Sequence, residues 1–428
     1  MRILYLNHYA GSKIHGMEYR PFYLAREWQR LGCEATIVAA SFSHLRTCEP
    51  DVRSGLKEEG VEEVPYIWLR TPRYDGNGVR RACNMLAFTA QLFRYRNCLV
   101  EKCNPDVVIT SSTYPLANVV AYYIAKRARA KLVYEVRDLW PLTLIELQGM
   151  SRWHPFVLLM QWAENFSYRK ADRVTCTLPN AASHMVQHGM EISKFAYIPN
   201  GSPVNEWRQN GSHLPEEHRR VLLSLKAEGR FLLGYTGSHG VSNALSPFLD
   251  AAALLQHLPV AFVFVGQGSE KQGLMERALR QKLTNAVFLP PAPKSSMPAL
   301  LGLLDGCFIG WQRKPFYRFG ISPNKLLDYM MAGKPVIQAA DAGGELVVKS
   351  SCGFSVPSES PAAIAEAVEK LMRLRPSDRE AMGTRARLYV EAHHDYPLLA
   401  RRYFDLFLKL TTPRQSVRPV LSPKLKPS

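Results

Sequence analysis

An α/β fold of two successive doubly wound domains is predicted by three observations. Short β-branched runs alternate with amphipathic helical stretches through the first half of the chain. The alternation breaks into turn chemistry at Ile198-Pro199-Asn200-Gly201-Ser202-Pro203 and stays polar and irregular to His218, as an inter-domain linker does. A second α/β series follows. At 428 residues the chain is long enough for two or three ordinary domains. The boundaries are placed at 1–204 and 205–396, followed by a helix over 397–410 and a basic, disordered tail over 411–428.

In the first series, residues 3–7, 35–40, 106–111, 131–136 and 173–177 read as buried parallel strands, with helices such as 17–31 and 116–129 between them. Sheets of this kind bind ligands at the carboxyl ends of their strands, which directs attention to the loops. The first loop, Asn7 to Gly16, carries only two glycines, five apart, and the second strand ends in Ala39-Ala40-Ser41 with no acidic residue for a ribose. That excludes a dinucleotide fingerprint and makes a dehydrogenase a poor reading. Gly11 permits a ligand to approach the backbone closely, and a plain strand-to-helix turn has the same pattern.

A basic, aromatic stretch runs from Arg70 to Cys103. Its helical period puts Met85, Phe88, Leu92 and Phe93 on one side, with Arg80, Arg81, Arg94 and Arg96 at the ends. A helix lying on an anionic bilayer looks like this, and so does a core helix with a solvated rim. After the strand at 131–136 come Arg137 and Asp138, at the mouth of the sheet. Arg137 suits a phosphate and Asp138 suits a proton or sugar hydroxyls. A structural Arg–Asp pair fixing the loop is the alternative. Residues 153–169 form a second aromatic helix with basic ends.

The second series has strands at 231–235, 260–265, 286–289, 307–311, 336–339 and 353–356. After the first, Thr236-Gly237-Ser238-His239-Gly240 clusters backbone amides for an anion. Gly266-Gln267-Gly268-Ser269 after the second reads mainly as a turn. The most informative stretch is Phe319 to Pro335. Ser322 suits the N-cap of a helix and Pro323 its first turn. Asn324 and Lys325 then project beside the free amides and the positive end of the dipole. Asp328 shares their face, and Gly333 with Pro335 ends the helix. This describes a nucleoside diphosphate gripped at the tip with its ribose held one turn along. A surface Lys325–Asp328 pair gives the same spacing.

Hydrophobic residues make up 46% and charged residues 21%, the balance of a globular protein, and no apolar run is long enough to span a bilayer. Eight cysteines without CxxC spacing are expected as reduced thiols of the cytoplasm. The net charge of +17 predicts polyanionic partners: nucleic acid, an anionic membrane or phosphorylated substrates. No zinc-finger or RNP-like pattern supports a specific nucleic acid.

His8-Tyr9-Ala10-Gly11 with Gly16 to Arg20, Glu135 to Pro141, Ile198 to Gly201, Tyr235 to Gly240, and Gly320 to Pro335 together resemble a known set. It is that of family-4 retaining glycosyltransferases of the bacterial surface-polysaccharide type, close to the N-acetylfucosamine-transferase-like subgroup. The resemblance covers nearly all of the chain to about residue 410. It implies the GT-B fold, two Rossmann-like domains facing across a cleft, with the helix at 397–410 crossing back to the first. It implies a UDP-sugar donor on the second domain, held by Ser322, Asn324, Lys325, Asp328 and the Gly237-Ser238 loop, with Gly11 closing over it. Arg137, Asp138 and Lys325 stand at the reaction centre, with no metal and no cofactor. The implied acceptor is a polyprenyl-diphosphate-linked saccharide of O-antigen or capsule synthesis, met peripherally at the inner face of the cytoplasmic membrane.

Three departures stand out. The first of the family's paired glutamates, eight positions before Asp328, is Gly320. The Arg and Lys common after the first strand of the second domain are absent. The usual first-domain histidine is Arg137. A sugar-nucleotide epimerase of the same fold, a lapsed sugar-nucleotide-binding scaffold and a basic nucleic-acid-binding protein are the rival readings.

Overall fold

All but one of the strand pairings in two separate sheets are parallel in the computed structural model, which describes residues 1–412 apart from 77, 113, 210–212 and 343–345. The tail expected over 411–428 lies outside the described residues beyond Thr412. The first sheet contains β1 (Arg2–Leu6), β2 (Glu34–Ala40), β3 (Leu56–Val61), β4 (Val64–Leu69), β5 (Val107–Ser112), β6 (Lys131–Val136), β7 (Arg173–Cys176) and β8 (Phe195–Tyr197). Its order is 3-4-2-1-5-6-7-8. The second contains β9 (Phe231–Thr236), β10 (Val260–Val265), β11 (Ala286–Leu289), β12 (Gly306–Gly310), β13 (Val336–Ala339) and β14 (Gly353–Val356), in the order 11-10-9-12-13-14. Helices cover both faces, which suits apolar inner strands; all six residues of β10, Val-Ala-Phe-Val-Phe-Val, are buried. This is the two-domain, doubly wound GT-B architecture.

The strand order reverses between β1 and β5 in one sheet and between β9 and β12 in the other. Crevices open at such points beyond the carboxyl ends of the strands. They place the loop after β1 and the loop after β9 at the two natural binding positions.

Several elements differ from the sequence reading, among them β4 and β8, strands that it did not name. β3 pairs antiparallel with β4 at the sheet edge, and its sequence Leu-Lys-Glu-Glu-Gly-Val is too polar to read as a strand. Charged residues suit an edge, where one side stays in water. The helix α2 (Val79–Cys103) buries Met85, Phe88 and Leu92 in the core between sheet and helices, and only Phe93 of the expected bilayer-facing stripe is exposed, at 50%. The stripe is a packing face.

The last helix, Tyr396–Thr411, lies against α1 (Arg20–Arg30) of the first domain. Tyr396 stacks on Tyr23 at 4.8 Å, and Trp28 Nε1 donates to Ala400 O at 3.2 Å. A buried charge network fastens this junction. Glu135 on β6 is fully enclosed and accepts from Arg20 Nε (2.8 Å), Tyr5 OH (2.6 Å) and Tyr403 OH (2.5 Å). Arg20 also donates to the carbonyls of Pro199 (2.5 Å) and Ile198 (3.2 Å) in the linker. One ion pair therefore ties the first sheet, the linker and the returning helix together. Burial alone would raise the Glu135 carboxyl, yet the Arg20 and Arg137 guanidiniums and its hydrogen bonds hold it at about 2.

Candidate active site

β9 delivers the chain into Gly237-Ser238-His239-Gly240. Gly237 takes φ +135°, and a Cβ there would lie 3.1 Å from Lys325 Nζ. Only glycine lets the backbone run this close to the ammonium. The loop after β10 supports it from behind. His239 N–H donates to Gln267 O at 2.9 Å, and Gly237 N–H donates to Val265 O at 2.9 Å. The segment Gly266–Ser269 thus backs the first loop as well as turning the chain.

Facing this loop is the helix Asn324–Met331. Its N-cap is Pro323, in an extended conformation (φ −82°, ψ 133°), and no side chain caps the first turn. Ser322 does not serve as the cap. Its Oγ accepts the Asn200 N–H at 3.4 Å and its carbonyl accepts Asn200 Nδ2 at 2.6 Å, so the linker captures it. The helix therefore starts later than the sequence reading, with its opening amides free of side-chain caps. Tyr329 pins the helix to the loop: its hydroxyl accepts Thr236 N–H at 2.8 Å and donates to Thr236 O at 3.2 Å.

Lys325 is the electrostatic centre. Its ammonium donates to Tyr235 OH at 2.6 Å and to Asn243 Oδ1 at 2.9 Å, and stands 4.5 Å from the centre of the Tyr235 ring. All of these partners are neutral. Among the described residues no carboxylate pairs with it, and burial lowers its pKa to about 8. A desolvated cation with neutral partners, beside glycine amides and an uncapped helix end, is an arrangement that an anion completes. Asn324, next to it, is exposed and faces solvent, and so is Ser238.

The remaining expected residues have protein partners of their own. Asp328 is not solitary: Lys294 pairs with Oδ2, and Trp207 Nε1 donates to Oδ1 at 3.2 Å. Asp138 accepts from Leu139 N–H (2.9 Å), Trp140 Nε1 (3.2 Å) and Thr143 Oγ1 (2.5 Å), and burial raises its pKa. Its carboxylate holds the loop rather than pairing with Arg137. Arg137 instead bonds Glu18 at 2.7 Å, while its Nε, buried, has no hydrogen-bond partner among the described residues. Gly11 meets the chain's own loop, since a Cβ would lie 2.0 Å from Gly16 O, and its carbonyl accepts Tyr66 OH at 2.7 Å.

The two domains touch beside these groups. Phe316, Tyr317 and Phe319, just before the helix, pack with Val136 and Leu139 of the first domain. Asn180 N–H donates to Phe319 O at 3.1 Å, and Arg318 makes a two-pronged pair with Glu146 at 2.7 and 2.9 Å. Asn243, Trp207 and Lys294 escaped the sequence reading of the site, and Tyr235 and Glu18 entered it only inside longer motifs, because the contacts they make form on folding.

Residues 15–201 match the Glycosyl transferase 4-like domain family, and residues 230–373 match Glycosyl transferases group 1. Each half of the chain thus matches a glycosyltransferase domain family. Escherichia coli (strain K12) WcaI, named as a colanic acid biosynthesis glycosyl transferase, is 24% identical over 355 residues, 82% of this chain and 84% of WcaI. Bacillus subtilis (strain 168) TuaH, named as a teichuronic acid biosynthesis glycosyltransferase, is 25% identical over 213 residues, 48% of this chain and 50% of TuaH. Among solved structures, Anabaena Alr3699/HepE in complex with UDP and glucose superposes with a TM-score of 0.66 at 16% identity, covering 95% of this chain and 99% of that one. WaaG, a glycosyltransferase involved in lipopolysaccharide biosynthesis, gives 0.64 at 17%, with 95% and 99% covered. At these identities the structural likeness establishes the fold alone.

Proposed function

We propose that the chain is a retaining glycosyltransferase that moves an N-acetylated or deoxy sugar from a UDP-sugar to a polyprenyl-diphosphate-linked saccharide in O-antigen or capsule synthesis. The observation that carries this reading is Lys325, a half-buried lysine whose ammonium has, among the described residues, neutral hydrogen-bond partners at the mouth of the glycine loop. In the transfer the bond from the sugar to the diphosphate breaks and a bond to an acceptor hydroxyl forms on the same face. The hydroxyl proton passes to the leaving phosphate oxygen, so no separate nucleophile is needed. Charge developing on the diphosphate is met by Lys325, Asn324, the first-turn amides and the Gly237-Ser238 loop, without a metal or other cofactor. Arg137, oriented by Glu18, lies on the acceptor side, and Asp138 acts there as a positioning residue. Ser322 positions the helix through Asn200, and Gly11 shapes the facing loop. Asp328 receives the ribose hydroxyls by exchanging its contact with Lys294.

A panel of UDP-sugars, assayed for UDP release with and without membrane extract, tests this. Release that needs lipid is expected for one donor. Consumption without lipid would point to an epimerase, and the absence of any thermal shift with UDP would remove the nucleotide site.

No described helix is long and apolar enough to cross a membrane, and we place the chain peripherally at the inner cytoplasmic face, with no specific nucleic acid. The helix Pro155–Lys170 and the turn before it support this: Trp153 is 76% and Trp162 51% exposed, with Arg152, Arg169 and Lys170 exposed beside them. Flotation with vesicles containing anionic lipid is expected to carry the protein. Trp153→Glu/Trp162→Glu should weaken that binding about tenfold or more, since two apolar anchors become anions facing anionic lipid. Equal flotation of the variant would reject this face.

A further inference from the structure

Away from the anion loop, two helices of the first domain bring two imidazoles and a carboxylate to one point. Glu164 lies on the helix Pro155–Lys170 and is 1% exposed. His184 lies on the short helix Ala182–Gln187, with His188 just past its end, so the i,i+4 spacing puts both rings on one side. The three donor atoms lie within 4.8 Å of one another. Glu164 Oε1 and His184 Nε2 are 3.3 Å apart. That matches a coordination edge, since two ligands each about 2.0–2.1 Å from a tetrahedral zinc stand roughly 3.3–3.4 Å apart.

The surroundings fit the same reading. The Glu164 carboxylate also accepts from Tyr168 OH (2.9 Å) and Gln161 Nε2 (2.7 Å), but among the described residues no lysine or arginine pairs with it. A carboxylate enclosed this fully calls for positive charge close by. Gln161 Nε2 also lies 2.9 Å from His188 Nδ1, so one side chain spans the carboxylate and the second imidazole. Asn165 Oδ1, 3.1 Å from His188 Nδ1, adds a neutral oxygen beside the cluster. His188 is only half-buried and leaves a route for an ion.

We infer that Glu164, His184 and His188 form a binding site for one divalent transition-metal ion, with zinc the best match to two imidazoles and a carboxylate. Magnesium and calcium prefer oxygen ligands alone. The role is structural. The His184 ring meets Phe319 of the second domain edge-on at 5.5 Å, and Phe319 precedes the helix that carries Lys325. A bound ion would fix His184 and with it this stretch of the domain contact. The inference is independent of the proposed transfer reaction.

The test uses the full-length protein, stripped with EDTA and titrated with zinc by calorimetry and against a chromophoric chelator. One equivalent of zinc is expected, with a rise in melting temperature. His188→Ala, the least packed of the three changes, and Glu164→Gln should each weaken binding on the order of a hundredfold while circular dichroism stays unchanged. Cobalt substitution should give visible d–d bands without the near-ultraviolet thiolate band that a cysteine site would show. Failure of the wild-type chain to retain zinc at micromolar concentration, undiminished binding by His188→Ala, or a thiolate band would each overturn the assignment.

Discussion

Lys325→Ala is expected to lower turnover by roughly a hundredfold or more, the scale of losing one donor to a developing oxyanion, with the fold intact. Near-normal kcat/KM in that variant would remove the site assignment. The pH dependence gives a second readout. Burial lowers the free enzyme's Lys325 from the ordinary 10.5 to about 8, so the ammonium is present below that pH and is lost above it. Affinity for UDP should therefore fall as pH rises through 8, by about tenfold per unit, because the bound diphosphate must recover the proton. In the alanine variant that slope should vanish. Stability moves the opposite way. A lysine whose pKa is depressed in the folded state destabilises it most at low pH, where the ammonium is charged, and the penalty fades as pH rises toward 10.5. Lys325→Met should thus unfold no more easily than the wild type in urea at pH 7. A large loss of stability there would mean that the ammonium serves the fold through Tyr235 and Asn243.

Arg20→Met is expected to reduce unfolding free energy by about 3–5 kcal/mol, because it leaves the enclosed Glu135 carboxylate without the guanidinium that pairs with it. The linker carbonyls of Pro199 and Ile198 lose their donors in the same step. Arg20→Met/Glu135→Leu should recover most of the loss, since the pair goes as a unit. Urea denaturation of the two variants measures both values. If the double change is as damaging as the single one, the linker contacts rather than the buried charge hold the junction. The acid limb follows from the Glu135 carboxyl, held at about 2 against an ordinary 4.5. Its contribution is complete above pH 4.5 and disappears as pH falls toward 2. The double variant should lack that part of the acid sensitivity.

Much of the site's chemistry was legible because it is local. The glycines follow β9 directly and Lys325 stands in the first turn of its helix, so each half of the anion site is contiguous in the chain, although the two halves lie far apart in it. Their counterparts were not legible. Tyr235 is 90 residues from Lys325, Trp207 is 121 from Asp328 and Arg20 is 115 from Glu135. Ser322 illustrates the difference. Its place before Pro323 reads as a cap, yet Asn200, 122 positions away, takes both its hydroxyl and its carbonyl. Asp138 shows it at shorter range, where the turn into Thr143 gives its carboxylate three donors and leaves Arg137 to Glu18.

Amino-acid order alone determined the two α/β series, the break between them near residue 200 and the residue types at each strand end, since periodicity and turn chemistry are short-range properties. Which charges are paired and which are left with neutral partners was decided by tertiary structure. Burial and the distance between chain-remote groups set the solvation and Coulomb terms, and neither exists until the sheets have closed.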